Sequence, residues 1–116
     1  MITIATDKQQ RDSLLLALAD PTRADIVEML ADHPHTAGEI HRAFPIANPA
    51  VSRHLRVLRE AGLVEERTPP DDGRVRVYSL RPDALAAIRG WFEGMDTRWQ
   101  SQLDSFKDFV ALRGRS

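Results

Sequence analysis

At Gly62 the periodicity of this chain changes, and that one change limits the folds open to it. Along the run Asn48 to Leu63, NPAVSRHLRVLREAGL, apolar residues recur at helical spacing, so Val51, Leu55, Leu58 and Ala61 gather on one side. Past Gly62 the spacing falls to two, with Arg74, Arg76, Tyr78 and Leu80 alternating against Val75, Val77 and Ser79. A helix therefore hands over directly to a β-hairpin. The helix carries its own end signals: Asn48 can cap it, Pro49 suits its first turn, and Gly62 is the usual residue just past a helix end. The expected strands are Leu63 to Arg67 and Arg74 to Leu80. Between them TPPDDG supplies prolines and the Asp72-Gly73 pair of a turn.

Opposite the apolar stripe of that helix stand Pro49, Ser52, Arg53, Arg56 and Glu60. Hydrogen-bonding and cationic groups thus lie near a helix N-terminus, where free N–H groups and the helix dipole favour a phosphate. Alone, the same residues would equally describe a surface helix whose arginines keep the protein soluble. The upstream punctuation gives the helix a partner. Thr6 and Gln9 have capping-box spacing ahead of a helix striped by Leu14, Leu15 and Leu18. Asp20-Pro21 opens a second helix, with Ile26, Val27 and Leu30 inward, and His33-Pro34 ends it because the residue before proline avoids the helical region. Thr36 and Glu39 form another capping box and start a short helix carrying Ile40, Ala43 and Phe44, closed by Pro45.

A short helix, a tight turn and the Asn48 helix have the sequence look of a helix-turn-helix over 36–62, with the hairpin of 63–80 as its wing. In that layout Arg74 and Arg76 lie close to a nucleic-acid backbone or minor groove. The plainer alternative leaves them as solvated arginines on an exposed hairpin. Net charge favours the first reading locally. The chain as a whole is at −1, yet from His41 to Arg81 there are eight arginines against five acids, leaving the rest with eight bases against twelve acids.

From 83 to 112 the pattern is one long helix that begins behind Pro82. Leu85, Ile88, Phe92, Met95, Trp99, Leu103, Phe106 and Val110 follow at three- and four-residue steps. Gly90 and Gly94 weaken such a helix by up to roughly 1 kcal/mol each, so packing has to hold it. The stripe is longer than a small preceding domain can cover. It is therefore expected to meet the same stripe of a second chain, with the first helix completing a homodimer interface of Leu14, Leu18, Phe92, Met95, Trp99, Leu103 and Phe106.

At 116 residues, 42% hydrophobic and 28% charged, the chain reads as a single winged-helix domain, 1–116. Without cysteine it has no disulfide, thiolate metal site or cysteine nucleophile. No apolar run nears the roughly 20 residues of a membrane span, and MITIATDKQQ lacks the pattern of a signal peptide, so the expected location is the cytoplasm, with no membrane partner. His33, His35 and His41 match no closed zinc spacing, and Ser52 lies in no GxSxG elbow. Neither a metal, a cofactor nor enzyme activity is expected.

The segments LADPTRADIVEML and EIHRAFPIANPAVSRHLRVLREAGLVEERTPPDDGRVRVYSL resemble the winged-helix repressors of the arsenic-repressor (ArsR/SmtB-like) family. The resemblance spans most of residues 10 to 81. It implies a mainly α fold with a small β-hairpin, dimerising through its first and last helices and binding double-stranded operator DNA. By the same likeness the DNA-reading positions fall on Asn48, Pro49, Ser52, Arg53 and Arg56, with the wing at Arg74 and Arg76. His54, frequent in the family at this place, is read as a structural or phosphate-contacting residue. Two departures stand out. Thr36 and Gly38 occupy the places of the family's thiol-sensor cysteines, and no histidine follows His54, where its zinc sensors place ligands along the last helix. The chain is thus similar to a metal-free subgroup; the aromatic seam of its last helix is the expected place for an apolar small-molecule effector. The function implied is that of a sequence-specific DNA-binding regulator, a dimeric repressor blocking a promoter. The rival is a winged-helix protein-interaction module without specific DNA binding, which would not need the Ser52, Arg53 and Arg56 surface.

Overall fold

The computed structural model describes residues 7–114, in which five helices are joined to a small three-stranded antiparallel sheet. The capping box expected at Thr6 lies outside the described residues. Helix α1 spans Asp7–Leu18 and α2 spans Pro21–Asp32. The junction between them follows from the sequence signals: Asp20 accepts the Arg23 backbone N–H at 3.1 Å, Pro21 occupies the first turn, and His33 leaves the helix in extended conformation ahead of Pro34. Thr36 and Glu39 close a reciprocal capping box at the start of α3, Ala37–Ala43. These hydrogen bonds, first of all those from backbone N–H groups of Arg23 and Thr36, hold the carboxyls of Asp20 and Glu39 below the usual carboxylate range. What the two caps contribute is therefore present above that range and is lost as pH falls through the lowered values.

Helix α4 runs over Asn48–Glu60 and shows one difference from the expected start. Ala47 is the N-cap, since its carbonyl takes the first helical bond, from Val51 at 3.2 Å. Asn48 is thereby moved into the first turn and Pro49 follows it, where a missing N–H costs nothing. The far end matches the sequence. Gly62 takes φ +84°, its N–H reaches the Arg59 carbonyl, and the Leu63 N–H reaches Leu58, both at 3.0 Å. This is the Schellman closure that glycine permits.

The sheet is shorter than the alternation suggests and has one more strand. Strand β1 is His35–Thr36, β2 is Val64–Arg67 and β3 is Val77–Leu80, in the order β1-β3-β2. Leu63 cannot begin β2 because its N–H is spent on the helix end. Arg74 and Arg76 are not in β3, because β2 stops opposite Val77 at Arg67 and the prolines beyond it offer no donors. Residues 68–76 form the wing loop, in which Asp72 accepts the Arg74 N–H at 3.1 Å. β1 pairs His35 with Tyr78 and Thr36 with Val77. Two residues show no periodicity, so that strand exists only through its partner.

All the helices except the far part of the last meet in one core that includes Leu14, Ile26, Ile40, Val51, Leu58 and Leu63. Leu14, expected on a subunit interface, is only 1% exposed and belongs to this core, and Leu18 packs against it; the residue α1 turns outward is Leu16, at 69%. Arg23 fastens the helices together. Its Nε donates to the Ala17 carbonyl at 2.6 Å and Nη2 to that of Leu16 at 3.4 Å, while Nη1 meets His54 Nδ1 at 3.3 Å. Arg23→Ala should cost about 1–2 kcal/mol, as charge-assisted bonds at a partly exposed site do, and lysine should restore little because it lacks the fork. An unchanged denaturation midpoint for Arg23→Ala would remove this role.

Helix α5 spans Pro82–Arg113, 32 residues unbroken through Gly90 and Gly94. Its first turns bury Ala84 and pack Ile88 on the core, and Trp91 lies 5.5 Å from the Arg11 guanidinium of α1. Beyond that the helix projects. The radius of gyration, 20.1 Å, is well above the roughly 13 Å of a compact chain of about 100 residues. No described helix is long and apolar enough to cross a membrane.

Candidate nucleic-acid interface

The outward face of α4 is built by subtraction: Val51, Leu55 and Leu58 are committed to the core, which leaves Asn48, Pro49, Ser52, Arg53 and Arg56 exposed on the opposite side. α2 and α3 start with side-chain caps, but α4 starts with none: Ala50 and Val51 donate back to the Ala47 carbonyl and Pro49 has no N–H, so the exposed start of α4 offers the positive end of its dipole. Among the described residues Arg53 and Arg56 have no hydrogen-bond or ion-pair partner. Two unpaired guanidinium groups beside an open helix start form a surface suited to a polyanion.

The wing stands beside this face. Arg74 and Arg76 are both exposed in the wing loop, close to where the sequence expected them although not on a strand. A polar groove of about 250 Å³ separates wing and helix, lined among others by His41, Ser52, Arg56, Arg59, Arg76 and Tyr78. Arg59 was not among the sequence candidates, although it follows Arg56 by three residues and Ser52 by seven, a spacing that places all three on neighbouring turns. Glu66 was missed for a different reason. It reaches Arg59, Tyr78 and Arg76, and no sequence pattern relates a strand residue to those three.

The histidines divide by environment. His54 is half-buried and faces Arg23, which can only donate, so its Nδ1 serves as an acceptor between α4 and α2. His33 and His35 stack with ring centroids 4.1 Å apart. Among the described residues no three histidine, aspartate or glutamate side chains converge as a metal site would need.

Known proteins share this fold. A helix-turn-helix domain matches residues 18–67. The chain is 43% identical over 98 residues to the HTH-type transcriptional regulator Rv2034 of Mycobacterium tuberculosis, covering 84% of this chain and 86% of that protein. It is 31% identical over 80 residues to the transcriptional repressor SdpR of Bacillus subtilis, covering 69% and 86%. Its fold superimposes with a TM-score of 0.71 on the crystal structure of an ArsR family transcriptional regulator, with 27% identity, 78% of this chain and 97% of that one. An uncapped recognition helix, a hairpin wing beside it and relatives of this kind lead to one conclusion: the chain belongs to the ArsR/SmtB-like family of winged helix-turn-helix, DNA-binding transcriptional regulators.

Proposed function

We propose that this protein is a cytoplasmic, homodimeric repressor that occupies operator DNA with the face of α4 and denies the promoter to polymerase. The observation that carries this reading is the unpaired Arg53 and Arg56 beside the uncapped start of α4. Asn48, Pro49, Ser52, Arg53 and Arg56 enter the major groove, and the wing rests on backbone or minor groove. The chain works as one domain, in which 36–62 reads DNA, 63–80 steadies it and 83–112 pairs the subunits. Phe92, Met95, Trp99, Leu103 and Phe106 form the pairing seam; Phe92, Trp99 and Phe106 are more than half exposed in the single chain.

The signal that releases DNA is an apolar small molecule and not a metal. A cleft of about 340 Å³ between α1 and α5, lined by Gln10, Arg11, Ala87 and Trp91, adjoins the seam and gives such a ligand an entry. A ligand there acts only if it binds the dimer in its DNA-bound arrangement with a different affinity from the dimer released from DNA.

The test is a salt titration of binding to random duplex and to a site selected from a random pool. Counterion release requires log affinity to fall linearly with log salt, at about 0.9 per phosphate neutralised. Arg74→Ala should weaken both DNAs alike and flatten the slope by roughly one such step, because Arg74 has no ion-pair partner among the described residues. Affinity indifferent to salt would remove the DNA reading, and a slope unchanged in Arg74→Ala would take the wing off the DNA.

A further inference from the structure

The wing and the recognition helix meet over one carboxylate. Glu66 lies in β2 opposite Tyr78 of β3, and its side chain is 21% exposed. Oε2 accepts from Arg59 Nη1 of α4 at 2.6 Å and from the Tyr78 hydroxyl at 2.8 Å. Oε1 stands 3.8 Å from Nε of Arg76 in the wing. The three contacts are unequal. Arg59 and Tyr78 are at hydrogen-bond distance, whereas Arg76 is held only by charge and its side chain is 65% exposed. Burial, and then the bond to Glu66 and its charge, raise the Tyr78 phenol above its ordinary value, so it remains a donor at neutral pH.

We propose that Glu66 is a specificity-determining residue: it ties the wing to the recognition helix and masks Arg76, so that DNA of the wrong sequence gains little from that cation. This rests on the DNA reading above and adds a repulsive element to it. A phosphate reaching Arg76 competes with Glu66 for the guanidinium and meets a negative charge beside the wing. On the operator, base contacts from α4 hold the duplex in place while that exchange occurs. On random sequence nothing does, and the latch stays closed. Arg74, which has no such partner, is the contrasting cation in the same loop.

The experiment is Glu66→Gln, which keeps one acceptor oxygen for Tyr78 and Arg59, removes the charge and turns the oxygen facing Arg76 into an amide NH2 that cannot accept from it. Affinity for random duplex at low salt should rise about 3- to 10-fold, with the salt slope steeper by about one neutralised phosphate, and the ratio of operator to random affinity should fall. In the Arg76→Ala background the same change should do almost nothing. A gain that persists there would show a general charge effect and overturn the assignment to Arg76. A wild-type protein whose binding falls with salt, paired with a Glu66→Gln variant of identical slope and ratio, would overturn the role of Glu66 alone. Wild-type binding without salt dependence would instead remove the underlying DNA reading. Should Glu66→Gln fail to fold, Arg76→Ala alone decides: a masked cation should cost random-DNA binding less than Arg74→Ala does, and an equal cost would end the proposal.

Discussion

Trp99→Asp should leave the protein monomeric and reduce operator affinity on the order of 10²- to 10⁴-fold, with a much smaller loss on random DNA. The expectation starts from apolar surface with nothing on it. Phe92, Met95, Trp99, Phe106, Phe109 and Val110 are 42–66% exposed along α5, and five of the seven aromatic residues of the chain lie in its last quarter. Each aromatic can bury on the order of 150–250 Å², which makes a patch too large for a stable monomer. The steps from Phe92 through Met95, Trp99, Leu103 and Phe106 to Val110 are three or four residues, the spacing of a helix-to-helix seam. Nothing lies within 4 Å of where a Cβ would stand on Gly90 or Gly94, so a neighbouring backbone can come close there. A charge at Trp99 would be buried unpaired in that seam. A twofold axis through that seam would place two α4 helices in successive major grooves, so the operator should be an inverted repeat with half-sites about one helical turn apart, or a multiple of it. Losing the partner converts one bivalent event into two weak ones, which sets the magnitude. Sedimentation and operator titration measure both. A wild-type protein that is monomeric at micromolar concentration and still tight on a single half-site would leave α5 without this role.

Arg53→Ala should cost about 1–3 kcal/mol on the selected operator and far less on random duplex. Arg53 is exposed in the early turns of α4 and carries no partner among the described residues, so its fork is free to meet the two acceptors of a guanine edge. Arg53→Lys should recover only part of the loss, since an ammonium cannot reproduce the bidentate geometry. The discrimination should narrow at one base position of the half-site. Equal losses on both DNAs would make Arg53 a phosphate contact.

The amino-acid sequence determined most of the helical framework, because its boundaries are set by local chemistry. Asp20 with Pro21, Thr36 with Glu39, and Gly62 act through hydrogen bonds and backbone preferences within a few residues, and each lies where that chemistry puts it. The outward face of α4 was legible for the same reason: a helix converts spacing into direction, so Val51, Leu55 and Leu58 inward leave Ser52, Arg53 and Arg56 outward. Only the tertiary structure decided what depends on pairing between distant segments. β1 exists because β3 lies beside it, the wing strand shortens because β2 runs into prolines, and Leu14 turns to the core because α2 and α5 pack against α1. Glu66 is the clearest case. Its charge was visible in the sequence, but the three side chains that give it meaning come from a helix, a strand and a loop that only the folded chain brings within 4 Å of one carboxylate.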